Sequence, residues 1–487
     1  MPNLMLPGNP RYQPKSLEEI FGYDYLYREV AEVEIATMRT LGDVGIIPPA
    51  DIALLTPDIE KALYAITTSE VQEREKKTKH DIRAWVQLAQ ERAPQGLRRW
   101  IHIPLTSYDA LDTARSLQFL RAHKQVVRPL VKKLVGHFGA RVREFASQRQ
   151  IGRTHGQHAL PITVGFWLAT ILKRLLQNAK SADDASKKLV GKISGAVGAY
   201  NAQVASGITA ACSDGVLTFE ERVLLKLGLR TAPISTQILP PEPTMDYLFA
   251  CLKLSATLGQ FGRDGRHLMR SENAELGEPF DAGQVGSSTM AHKRNPVNFE
   301  NLESTWLKTK NEFGKVLDAV ISEHQRDLVN SAISRDFPTI VVNLVSQLET
   351  LLRGDPPFIA RIGVDAAACE RNLLLQGDSI LAEPVYIALQ MAGYMGDAHE
   401  LVNHGALKRA REMTAQSGTR VPLLAAVQEI LDETDPVFAK VWKERLESMK
   451  ASQFEMLTKP EKYLGLSEDK AFEVAKEAEY YVASRLA

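Results

Sequence analysis

Cysteine is scarce: Cys212, Cys251 and Cys369 are the three in 487 residues, far apart and without the paired spacing of a zinc site or a disulfide framework. Neither sign of charge is in excess, since Lys plus Arg and Asp plus Glu both number 59 and the formal net charge is zero. That balance argues against a general grip on nucleic acid or on an acidic membrane, so any bound anion should be small and held locally. No apolar run approaches the length of a membrane span, and the opening MPNLMLPGNPRYQPKS has no basic stretch followed by an apolar core. A reducing cytoplasm is the expected location. Low-complexity tracts and solenoid repeats are also missing.

What is present is helical periodicity. From Ala110 to about Gln150, Val127, Leu130, Val131, Leu134, Phe138, Val142 and Phe145 recur at helix spacing, and Pro129 marks a kink or a restart. The same period returns in Val164 to Leu175, Phe299 to Val320 and Ile340 to Leu348. Stretches apolar on one face and polar on the rest predict an all-α bundle of long helices, with few and short strands. The segment GFWLATILKRLL is apolar on more than one face, which predicts packing into neighbouring subunits. Edges at RRWIHIPLTSYDALD and at the Pro-Pro break of RGDPPFIARIGVD give three expected domains, 1–109, 110–363 and 364–487.

Chemistry concentrates in two stretches. VGSSTMAHKRNPVNFE, residues 285–300, combines loosening glycines, the hydroxyls of Ser287 and Ser288, and the charges of Lys293 and Arg294. Asn295 as N-cap and Pro296 as first helical residue start a helix whose free amides favour a carboxylate or phosphate. The loop lacks the glycine-lysine-serine ending of a P-loop and the glycines of a nucleophile elbow. A serine so placed can act as a base if its alkoxide is stabilised by a lysine and a helix end; a plain surface loop is the competing reading. In IGRTHGQHALPITVG, residues 151–165, His155 sits in a turn-rich segment where it can titrate near neutrality and hand a proton to a leaving group. His158 raises a metal reading, but no third ligand is evident and no metal is expected.

GSSTMAHKRNP, GRTHGQHALP, KTKHD, LTSYD and KISGAVGAYNA together resemble the fumarase/aspartase superfamily, through most of the chain from Arg11 to about residue 390. The resemblance implies a cofactor-free β-elimination that removes fumarate from a succinyl-amine. It also implies a homotetramer with a twenty-helix core and active sites assembled from three subunits. On it, Ser287 is the base, His155 the general acid and Glu300 the carboxylate that orients His155. Lys293 and Asn295 hold the succinyl carboxylates, with Ser288 supporting. Lys79, His80 and Asp81, the hydroxyl pair Thr106 and Ser107, and Gln237 are implied substrate contacts. Without the family, Thr106 and Ser107 read as an ordinary capping pair.

Within the superfamily the chain looks like the branch acting on a purine nucleotide, or on the ribonucleotide of its imidazole precursor. Arg11 and Tyr12 in NPRYQP, and Arg326, Ser331 and Arg335 in EHQRDLVNSAISRDF, stand at that branch's nucleotide-binding positions. Arginine forks and a hydroxyl match a phosphate monoester. Two positions depart from the pattern: Ala291 replaces a proline and Tyr108 a small or acidic residue. The rivals are another lyase of the superfamily, such as argininosuccinate lyase, for which substrate phosphate would be irrelevant, and a non-catalytic structural protein of the same fold, which need not keep Ser287, His155, Lys293 and Glu300 together.

Overall fold

The computed structural model describes residue 4 and residues 10–212, 215–280, 290 and 292–484. Helix dominates, at 68% against 5% strand, so the fold is all-α as the periodicity predicts. The residues group into two compact units, one of 1–134, 175–262 and 300–353, the other of 135–174, 263–299 and 354–487.

In the first unit, the helix Tyr25–Asp43 packs against Ser107–Arg121 and Phe219–Leu227 through buried Val30, Val33, Met38 and Leu41. Parts of Glu242–Leu268, Val297–Asp318 and Pro338–Leu352 form a second packed group. One buried amide ties these three: Gln347 Nε2 donates to Leu302 O at 2.8 Å, and Gln347 Oε1 accepts from Ser255 Oγ at 2.6 Å. Gly259 permits close approach there, since a Cβ at that position would lie 2.6 Å from Trp306 Cβ.

Pro129 is accommodated without a break. Residues Ala122–Val127 form a π-helical turn, and the Arg128 amide donates to His123 O five residues back. Proline lacks an amide hydrogen and its ring displaces the carbonyl four residues earlier, and the wider turn absorbs both effects. The helix then continues as Arg128–Glu144.

The second unit contains a separate apolar cluster, Val385, Leu389, Val402, Leu423, Val427, Leu431, Trp442 and Leu457. It also contains the antiparallel hairpin Arg149–Thr154 and Gln157–Thr163. Leu168, Ile171, Leu172, Leu175 and Leu176 of GFWLATILKRLL are buried within this single chain, so that stretch does not by itself call for a neighbouring subunit. Phe249, Leu307 and Leu317, on other long helices, are among the exposed apolar residues.

Candidate active site

In the first unit, two clusters of charged and hydroxyl side chains form around the start of one helix. The helix Ser107–Arg121 is capped at Thr106, whose amide donates to the carboxylate of Asp109 at 2.8 Å, so the capping reading of the Thr-Ser pair holds. Asp109 is fully buried and also receives the Ser194 amide at 3.1 Å and the Gly195 amide at 3.2 Å. Its fourth partner is the ammonium of Lys192, also fully buried. This ion pair pins KISG against the hydroxyl pair.

Lys79 ends one helix in a left-handed conformation, φ 54°, and His80 caps the next. His80 Nδ1 accepts the Arg83 amide at 3.3 Å, which leaves the ring proton on Nε2 to be donated to Ser107 Oγ at 3.2 Å. KTKHD and LTSYD thus meet through His80 and Ser107, with Asp81 adjoining and the Lys79 side chain exposed.

The second cluster centres on Arg326. Its Nη1 donates to Gln237 Oε1 at 3.2 Å and its Nη2 to Ser331 Oγ at 3.3 Å. The guanidinium carbon lies 3.3 Å from the centroid of the Tyr108 ring. Tyr108, Arg326, Ser331 and Arg335 line one cavity of about 180 Å³, whose remaining wall is largely apolar and includes Phe119 and Phe337. Asp112, one turn beyond Tyr108, also faces this cavity and accepts the Leu239 amide at 3.0 Å, which anchors the segment carrying Gln237. Burial pushes the Asp112 carboxyl above its ordinary range, and Arg115 offsets this only in part. Arg11 and Tyr12 lie in a short turn, Pro10–Tyr12, with Arg11 5.5 Å over its own neighbour's ring.

In the second unit, His155 and Gly156 are the two central residues of the hairpin turn, with φ of 54° and 76°. Two successive left-handed residues fit the right-handed twist of the flanking strands, so the chain reverses tightly with the His155 side chain exposed at the tip. Beneath the tip, buried Glu275 accepts from Gln150 Nε2 at 2.7 Å, Arg153 Nη1 at 3.0 Å and Asn372 Nδ2 at 2.8 Å. His158 is pushed below its usual range by burial and then by Arg153. Among the described residues no group of three or more His, Cys, Asp or Glu is placed to hold a metal ion.

Lys293 and Asn295 line a cleft with Arg266, Arg270, Arg294 and Glu272. The helix begins at Val297 rather than at Pro296. One of its first amides is already occupied: Phe299 N donates to Glu278 Oε1 at 2.8 Å, while Asn298 Nδ2 donates to Glu278 Oε2 at 2.7 Å. The anion at that amide is therefore the protein's own carboxylate. Glu300 is exposed on the first turn. Ser287, Ser288 and Ala291 lie outside the described residues.

The residues that sequence reasoning did not name as site-builders are Asp109, Lys192, Asp112, Glu275 and Glu278. Only Asp109 had a signal, as the acidic residue three positions after a Thr N-cap.

Residues 56–308 match the family described as Lyase. A fumarate lyase from Mesorhizobium sp. BNC1 superposes with a TM-score of 0.74 at 21% identity, covering 96% of this chain and all (100%) of that one. The 3-carboxy-cis,cis-muconate lactonizing enzyme of Pseudomonas putida gives a TM-score of 0.76 at 24% identity, covering 97% and 98%. The architecture is thus that of the fumarase-type lyases. Sequence similarity narrows this further. The adenylosuccinate lyase of Archaeoglobus fulgidus is 31% identical over 96% of this chain and 98% of that protein, and that of Bacillus subtilis 32% identical over 78% and 83%. The chain belongs to the adenylosuccinate lyase family of the fumarase/aspartase superfamily.

Proposed function

We propose that this chain is a fumarate-releasing carbon–nitrogen lyase that splits adenylosuccinate into AMP and fumarate, and SAICAR into AICAR and fumarate, in purine biosynthesis. The observation that carries the reading is the near end-to-end similarity to the A. fulgidus enzyme. The Arg326–Ser331–Gln237 cluster supports it, because a guanidinium fork and a hydroxyl are suited to a nucleotide's phosphate.

The reaction needs three things: removal of a weakly acidic C–H proton beside a carboxylate, stabilisation of the dianion that results, and protonation of the departing nitrogen. Ser287 takes the proton. Lys293 and Asn295 hold the carboxylate on which charge accumulates, with Ser288 in support. The C–N bond breaks as the C=C bond of fumarate forms, and His155, oriented by Glu300, delivers a proton to the nitrogen. Thr106 and Ser107 bind a substrate carboxylate, Lys79, His80, Asp81 and Gln237 contact the substrate, and Arg11, Tyr12, Arg326, Ser331 and Arg335 bind the nucleotide. No cofactor enters these steps. The working form is a cytoplasmic homotetramer with sites shared between chains, an arrangement supported by the exposed apolar residues Phe249, Leu307 and Leu317 on its long helices. No helix among the described residues is long and apolar enough to cross a membrane.

The test is fumarate release followed by ultraviolet absorbance, with adenylosuccinate and argininosuccinate offered in parallel. Turnover of adenylosuccinate alone is expected. Preferential cleavage of argininosuccinate would assign the chain to a different lyase of the superfamily.

A further inference from the structure

Arg326 is tied to several of its neighbours. A guanidinium has five N–H donors in one plane. Three are committed: Nε to Asp327 O at 3.2 Å, Nη1 to Gln237 Oε1 at 3.2 Å, and Nη2 to Ser331 Oγ at 3.3 Å. Each terminal nitrogen keeps one further N–H, and a pair of coplanar donors suits two oxygens of a phosphate monoester. Their direction depends on how the guanidinium plane is held, and one face of that group rests on the Tyr108 ring, 3.3 Å from its centroid.

We propose that Tyr108 is a positioning residue for the nucleotide phosphate: its ring holds the Arg326 guanidinium in the orientation that presents the two uncommitted donors. The inference rests on the nucleotide-lyase reading above and goes beyond it, since Tyr108 is where this chain departs from the small or acidic residue expected at that position. The ring carries the effect and the hydroxyl is secondary, because Tyr108 Oη stands 3.5 Å from Ser331 Oγ, at the limit of a hydrogen bond. Tyr108 stands in the first turn of the helix Ser107–Arg121. Asp112, one turn on, fastens the 237–239 segment through the Leu239 amide, so a single helix face orders both the arginine and its glutamine partner.

The experiment compares wild type, Tyr108→Leu and Tyr108→Phe as full chains, measuring AMP and adenosine affinity by calorimetry and KM and kcat for adenylosuccinate. Leucine keeps apolar bulk but has no aromatic face, so AMP affinity should fall about tenfold, the loss expected from removing a cation–π contact of this kind. Adenosine affinity should change little, KM should rise more than kcat falls, and Tyr108→Phe should recover most of the AMP affinity. Should Tyr108→Leu fail to fold, Tyr108→Met supplies the same comparison. Equal losses for AMP and adenosine, unchanged AMP affinity, or a phenylalanine variant as weak as leucine would each overturn the proposal. A wild type that binds AMP no better than adenosine would also overturn it. A wild type that prefers AMP yet leaves adenylosuccinate intact would instead refute the proposed reaction.

Discussion

Replacing His155 by alanine should lower kcat for adenylosuccinate on the order of a thousandfold, the usual contribution of a positioned general acid. The melting behaviour of the protein should be preserved, because the side chain is exposed at a hairpin tip. The turn itself demands little of the imidazole: Gly156 and the left-handed backbone at position 155 set it, and the Glu275 network holds it from beneath. An intact fold with lost turnover would thus report on chemistry. If active sites are shared, mixing His155→Ala with Ser287→Ala chains should restore part of the activity, since some sites in mixed assemblies receive both native groups. Two inactive parents that stay inactive after dissociation and reassembly would argue that each site is built from one chain.

The second large effect is on stability. Substituting Lys192 by methionine leaves the Asp109 carboxylate buried without its counter-ion. Removing one partner of a buried pair costs roughly 3–5 kcal/mol. The lower end applies here, because the Thr106, Ser194 and Gly195 amides continue to donate to Asp109. A clearly lowered urea midpoint is expected, with recovery when Asp109→Asn is added, since the neutral amide no longer needs a cation. A Lys192→Met protein as stable as wild type would show that the amides alone compensate the charge. Because this pair underlies Thr106 and Ser107, the single variant should also raise KM.

The long helices were legible because their apolar residues recur on one face. The periods beginning at Val164, Phe299 and Ile340 became the helices Val164–Ser186, Val297–Asp318 and Pro338–Leu352. Glu242–Leu268 has no such clear stripe. Its 27 residues bury Tyr247, Leu248, Cys251, Leu254, Leu258 and Phe261, among small residues that blur any stripe. In the sequence the hairpin around His155 shows only as a turn-rich segment, since a bulge between Ile151 and Arg153 breaks the alternation that marks a strand.

For the site, local pattern sufficed where a side chain serves its own backbone, as at Thr106. It failed where the partner is distant in sequence. Nothing near Lys192 announces a buried ammonium, and nothing near Tyr108 announces an arginine on its ring. Both depend on how the helix Ser107–Arg121 packs, which short-range periodicity does not encode.

The most direct test of the whole account is to compare kcat/KM for adenylosuccinate with that for the same compound lacking its 5′-phosphate. The arrangement around Arg326 predicts a loss on the order of a hundredfold, in line with charged hydrogen bonds left unmade. Equal cleavage of the two compounds, or of neither, would contradict it.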